Sequence, residues 1–374
     1  MSDVVLAMRG KETNMRHNSL NPQLATAIVA AVFCLVPVQG QVLATQRAGF
    51  GLPAGQVTAP NTPGGGVLVG NNFYTGDGAQ GFRHWTPADA NNPDPVNTGI
   101  LVFDTNTSFS IGGGGVCAPF CKVGQLAFDG NQTVYLTAYD QPKGQPFGLT
   151  FPGVWRVSIS PQGTWQEPQQ LAPKFGLAGN LPTSIALGPD GNLYVGFLKN
   201  GNVVRIVNPT AFNFDPTQIV QSVGTAPNGR PIRSLAFVGP DLYLGSADGL
   251  AVIKNAVAPT CQGGCNGVRI ADGFSGIDHV GLTTDGINRL YMSINGQGVY
   301  RYTISSGVAQ LVSTGGNDPI TGAALTFAFV GGHSNMINLD RLGNLWIGDD
   351  ISDGARNFNG RIWYISAGTL SNIP

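Results

Sequence analysis

The sequence predicts an all-β fold: a six-bladed β-propeller with four-stranded blades, its ring closed by an N-terminal strand. Three observations predict it. The composition is turn-rich, a short strand motif built on an aromatic recurs six times, and the last repeat lacks its outer strand. Of the 374 residues only 11% are charged, against 54 Gly and 25 Pro, a balance suited to short strands and tight turns. A chain of this length has ample core for one closed toroid. The formal net charge is −1, so no basic surplus speaks for nucleic acid and that class of partner is excluded from the reading. Glu occurs only at Glu12 and Glu167, which leaves acid chemistry almost wholly to Asp.

The repeat is a polar turn followed by a strand that ends in a small residue. It reads Asn72-Phe-Tyr-Thr-Gly76, Thr133-Val-Tyr-Leu-Thr137, Asn192-Leu-Tyr-Val-Gly196, Asp241-Leu-Tyr-Leu-Gly245, Arg289-Leu-Tyr-Met-Ser293 and Asn344-Leu-Trp-Ile-Gly348. The anchors Tyr74, Tyr135, Tyr194, Tyr243, Tyr291 and Trp346 are spaced by 61, 59, 49, 48 and 55 residues, the scale of a four-stranded blade with variable loops. An apolar strand precedes the later anchors, as in Gln125-Leu-Ala-Phe128, Ser184-Ile-Ala-Leu187 and Ser234-Leu-Ala-Phe237. Turns such as Gly188-Pro-Asp-Gly-Asn192 and Asp340-Arg-Leu-Gly-Asn344 join the two, because Gly and Asn tolerate positive φ in hairpins. Third strands follow at Ile100–Phe103, Val154–Val157, Val203–Ile206, Leu250–Ile253, Val299–Tyr302 and Ile362–Ile365. The chain ends at Pro374 with no fourth strand in the last blade, and an open edge needs cover. The stretch from Gln41 to Phe50 is expected to supply it.

Two domains follow from this reading: residues 1–40 as a signal peptide and residues 41–374 as one propeller. Leu24 to Val36 is an apolar run of 13 residues behind Arg16 and His17, too short for a stable membrane span. Val38-Gln39-Gly40 offers small residues for cleavage before Gln41, and Val42-Leu43-Ala44 is a second candidate; Met15 would give an ordinary signal length. A secreted or periplasmic location follows. Export also bears on the cysteines, since Cys117, Cys121, Cys261 and Cys265 form two tight pairs in an oxidising setting. Four cysteines allow three connectivities. The map places the first pair in the connection from blade 1 to blade 2 and the second in the third-to-fourth-strand loop of blade 4. Those places lie across the ring on opposite faces, which favours a local staple in each pair.

The repeats resemble NHL-repeat and gluconolactonase-like six-bladed propellers, most closely at Ser184–Ile206 and His333–Asp349. The resemblance implies a fold and leaves activity open. Gluconolactonase-like enzymes hold a divalent metal with carboxylates and Asn at the starts of the inner strands. The corresponding positions here are approximately Gly124, Thr183, Arg233, Asp278 or His279, and Asn335. Thr183, Arg233, Asp278 and Asn335 are therefore the candidate ligand-binding residues, but only Asn335 and Asp278 suit a hard cation. Peptidyl-hydroxyglycine lyases resemble the chain in a second way, with histidines at inner-strand starts holding zinc. His84, His279 and His333 are the corresponding metal candidates, although the Pro that precedes such histidines is replaced by Asp278 and Gly332. His84 falls in the long segment Asp77 to Thr98, read as a second-to-third-strand loop.

Two functional readings remain. In the first, the protein is a ligand- or protein-binding scaffold, using a face formed by blades 5, 6, 1 and 2 and walled by the loops Asp77–Thr98, Tyr139–Gly153 and Asp349–Gly360. Its partner is a small molecule or a protein. In the second it is a metal-dependent hydrolase or lyase, with zinc or calcium at the central channel entrance. The shortage of Glu favours the first.

Overall fold

A computed structural model describes residues 41–51, 63–69, 72–77, 81–85, 100–104, 110–111, 115–116, 121–140, 153–158, 169–172, 181–210, 220–258, 264–270, 279–318, 321–329, 337–349 and 358–373. Within them the chain is an all-β propeller. After β1 (Ala44–Gly51), the first blade is β2 (Pro63–Val69), β3 (Asn72–Asp77), β4 (Gly81–Trp85) and β5 (Ile100–Asp104). A ribbon of β6 (Ser110–Ile111) and β7 (Gly115–Val116) leads to the second, β8 (Cys121–Phe128), β9 (Thr133–Asp140), β10 (Gly153–Ser158) and β11 (Gln169–Ala172). The third is β12 (Pro182–Leu187), β13 (Leu193–Phe197), β14 (Asn202–Ile206) and β15 (Val220–Thr225). The fourth is β16 (Ile232–Val238), β17 (Asp241–Ser246), β18 (Gly249–Ile253) and β19 (Val268–Arg269). The fifth is β20 (His279–Thr284), β21 (Arg289–Ile294), β22 (Gly298–Thr303) and β23 (Val308–Ser313). Each is an antiparallel meander running outward in chain order, so a short turn sets each pairing.

The expectation of six four-stranded blades is corrected here to five. The last repeat gives β26 (Ile337–Leu339), β27 (Leu345–Asp349) and β28 (Phe358–Ile365), but these enter a six-stranded mixed sheet. Two short strands, β24 (Gly315–Asn317) and β25 (Ala324–Thr326), extend that sheet because β24 docks parallel to β1, pairing Gly316 with Ala44. On its other edge β1 runs antiparallel to β28, with Thr45 opposite Tyr364 and Gln46 opposite Trp363. A helical turn, α1 (Ala367–Ser371), ends the chain, and the Ser366 hydroxyl accepts from the Thr369 amide as its cap.

The anchors explain why the motif recurs. Each anchor tyrosine is buried and packs into the apolar layer shared with the following sheet. Tyr74 joins Val123, Leu126 and Trp155 of the second blade, and Tyr135 joins Ile185 and Leu193 of the third. Tyr194 meets Ile232 and Leu235 of the fourth, Tyr243 meets Leu282 and Met292 of the fifth, and Tyr291 joins Ile337 and Leu345 of the mixed sheet. Burial raises the phenol pKa of Tyr135 and of Tyr194 to about 12, so both stay neutral across the physiological range. The turns carry the chemistry expected of them. Gly191 and Gly343 sit at φ of 74° and 80°, in the left-handed region that glycine enters without steric cost. The Asp340 carboxylate folds its turn by accepting from the amides of Leu342 and Asn344 at 2.9 Å.

The first blade needs a second correction. Its third strand is β4, paired with β3 through Tyr74 opposite His84, and Ile100–Asp104 is its fourth strand. The long connection therefore follows the third strand, and His84 lies in a strand rather than a loop. The Gly81–Trp85 segment is only five residues long and is followed by the Pro-, Asn- and Asp-rich run of residues 86–99, which hid it as a strand.

Candidate functional site

The innermost strands β2, β8, β12, β16, β20 and β26 surround a cavity of about 330 Å³. It reaches the hairpin turns, where Gly130, Asp340 and Arg341 form part of its wall. The strand pattern dictates what lines it. In an antiparallel ladder the backbone groups of successive residues point alternately toward the partner strand and away. Gly188 N–H bonds Asn192 C=O at 2.8 Å, so Ala186 faces its partner Tyr194 with its amide groups and Ile185 turns its own toward the axis. The same parity applies to Leu126, Leu235, Leu282 and Ile337. Their side chains fill the layers between sheets, while their peptide edges face the cavity.

Gln125 reads these edges directly. Its carboxamide oxygen accepts from the amides of Ile185 at 3.2 Å and Leu235 at 3.0 Å, and its nitrogen donates to the Leu235 carbonyl at 2.9 Å. One side chain of the second blade thus ties the inner strands of the third and fourth. Asn338 makes a similar reach from β26, donating to the Gly66 carbonyl of β2 at 3.0 Å. The Thr283 hydroxyl accepts from the Leu339 amide at 3.4 Å. The cavity wall is therefore rich in neutral donors and acceptors, and only Asp340 and Arg341 among its described lining residues are charged.

The other end of the inner strands is built differently. A register shift recurs between Pro63 and Gly65, Val123 and Leu126, Pro182 and Ser184, Ile232 and Ser234, and His279 and Gly281. Such a bulge bends the strand and takes one residue out of the ladder. Thr183 and Arg233 are the bulged residues of their blades. Both are buried, and Thr183 donates to the Ile232 carbonyl at 2.8 Å. The equivalent of these two in the fifth blade is Val280 rather than Asp278 or His279, because the shift there follows His279. Thr183 and Arg233 are separate from the cavity lining. Asp278 and Asn335 lie outside the described residues.

The histidines occupy unlike positions. His279 opens the inner strand β20, opposite Ile294, whereas His84 is in the third strand of the first blade. His333 lies outside the described residues. Sequence reasoning missed what the His84 position is used for in other blades. Arg156, Arg205 and Arg301 stand there, opposite Tyr135, Tyr194 and Tyr291. Each reaches forward to a backbone carbonyl past the third strand of the following sheet. Arg156 Nη1 donates to Thr210 C=O at 3.0 Å, Arg205 Nη1 to Val257 C=O at 3.1 Å, and Arg301 Nη1 to Ile373 C=O at 3.1 Å. The signal was present in the third strands as a recurring Arg two residues after the first apolar residue. Cys121 begins β8, and Cys265 is half-buried, its amide donating to Val223 C=O at 3.2 Å. Cys117 and Cys261 lie outside the described residues.

Comparison with solved structures supports the class that this geometry defines, the β-propellers. The chain is similar to a PQQ-bound aldose sugar dehydrogenase from Streptomyces coelicolor, with 14% identity over 88% of this chain and 99% of that one and a TM-score of 0.52. It is also similar to the calcium-binding protein regucalcin from Agrobacterium tumefaciens, at 13% identity over 86% and 95% of the two chains, TM-score 0.49. A putative glucose dehydrogenase from Thermus thermophilus is 15% identical over 82% and 97%, TM-score 0.44. At these identities the likeness is one of fold. No family model matches the chain, and no curated protein does.

Proposed function

We propose that the protein is a binding propeller whose site is the central cavity at the hairpin end of the inner strands, and that its ligand is a small polar molecule. One observation carries this reading: a space of about 330 Å³ is walled by peptide edges and by the amides and hydroxyls of Gln125, Asn338 and Thr283. Such a wall orients a ligand by neutral hydrogen bonds. The face first assigned to blades 5, 6, 1 and 2 is set aside, because the long segment of the first blade follows its third strand. The test is a screen of small polar molecules by thermal shift, repeated with Thr283→Phe, which places a ring in the cavity. Stabilisation by a ligand that is lost in the variant, with an unchanged far-UV spectrum, is the expected result. Equal stabilisation of both proteins would put the site elsewhere.

The same proposal covers the context of the domain. Residues 1–40 act as a signal peptide, and the product is secreted or periplasmic. The strand β1, seated in the mixed sheet, closes the ring; the pairing of β1 with β28 and the bond from Asn338 to Gly66 support this. Local staples join Cys117 to Cys121 and Cys261 to Cys265, as the tight spacing of each pair supports.

A further inference from the structure

We propose that the cavity takes a ligand carrying both an amide and a carboxylate; this rests on the cavity being the binding site. The amide is read from the molecule's own side chain. Gln125 makes two opposed bonds to one residue, accepting from Leu235 N–H and donating to Leu235 C=O. A peptide edge turned to the axis thus recognises a carboxamide in the manner of a neighbouring strand. Leu282 and Ile337 present the same pair of groups on adjacent inner strands, and neither edge has a partner among the described residues. That half of the cavity is where a second amide is received.

The carboxylate is read from the charges. Asp340 adds little net attraction for a cation, because its carboxylate is spent on the turn. Beyond the two amides above, its second oxygen accepts from Asn344 Nδ2 at 2.9 Å and Trp346 Nε1 at 3.0 Å. Arg341 beside it is exposed and has no ion-pair partner among the described residues. Its guanidinium stands at the rim of the same half, next to β26, and suits a carboxylate in a two-point bond.

The experiment titrates the full chain with three probes by calorimetry: N-acetylglycine, which has both groups, N-acetylglycinamide, which has only the amides, and acetate. N-acetylglycine is expected to bind with a dissociation constant on the order of a millimolar and at least tenfold more tightly than either other probe. Arg341→Ala, an exposed change that leaves the fold alone, should bring it down to the level of N-acetylglycinamide. Equal affinity for acid and amide, or an unchanged Arg341→Ala variant, overturns the carboxylate assignment and leaves the cavity reading standing. Binding that survives Thr283→Phe overturns both. No saturable binding of N-acetylglycine overturns this inference, while the cavity reading is still decided by its own screen.

Discussion

The two ends of the inner strands answer different demands. At the bulged end the sheets converge so closely that a glycine stands opposite a small hydroxyl residue. Ser184 faces Gly196, Ser234 faces Gly245, and Ser293 faces Gly281. A Cβ on Gly196 would lie 2.4 Å from Ser184 Oγ and 2.8 Å from Ile232 Cγ2. At the turn end the strands leave an open space of about 330 Å³. Residue types that look chemical, a buried Thr and a buried Arg, therefore sit at the bulged end, outside the lining of that space. Much of its wall is Leu, Ile and Ala, whose contribution is their backbone.

The sharpest way to break this contrast is Gly124→Ala at the crowded end. Its Cβ would meet Thr137 Oγ1 at 2.4 Å and the Thr183 carbonyl oxygen at 2.5 Å, and a backbone atom cannot swing aside. A loss of about 3 kcal/mol in a denaturant melt is expected. Gly130→Ala at the turn end has no atom within 4 Å and φ of +81°, so its cost should be only about 1 kcal/mol. Equal losses would mean that the two ends are packed alike.

Gln125→Ala comes next. It frees the edges of Ile185 and Leu235, but these face a cavity that water can enter, so the loss should be about 1 kcal/mol. Calorimetric unfolding measures it, and a loss as large as that of Gly124→Ala would show a dry, closed wall. Acid sensitivity is a smaller effect. Burial alone would raise the Asp285 carboxyl, but amide donors from Arg289, Ile287 and Asn288, with the Arg289 charge, hold it below its ordinary value. Its contribution is therefore complete above about pH 4 and disappears as pH falls through the folded value. The melting temperature of Asp285→Asn should fall less steeply than that of the natural chain below pH 4, and parallel curves would remove the residue from the acid response. Smallest of all is Ser184→Ala. The Ser184 hydroxyl is buried with no hydrogen-bond partner among the described residues, so its removal should change stability by less than about 0.5 kcal/mol.

The propeller was legible in the sequence because its repeat is local. An aromatic, its turn and its strand lie within a dozen residues, and Tyr135, Tyr194, Tyr243 and Tyr291 stand where the motif puts them. The blade count was less legible. Whether the last repeat forms a separate blade depends on Gly316 meeting Ala44, and no local pattern reports so distant a parallel pairing. The site was hidden for a different reason. Leu282, Ile337 and Leu235 read as core from their side chains, and their peptide groups face the cavity only through the parity of the ladder. A lone Gln beside Leu gives no sign that it will bridge two neighbouring strands. The inter-sheet arginines were visible in the third strands, but only the register shows that they share one level with the anchors.

The pairing of Thr45 with Tyr364 has a consequence in time. The first described strand waits for the last, about 300 residues later in the chain. At common rates of synthesis that interval is about 15–60 s. During it β1 has neither β24 nor β28 to lie against, and an unpaired strand is a template for the wrong neighbour. Through that interval the newborn protein carries a strand still without its neighbours.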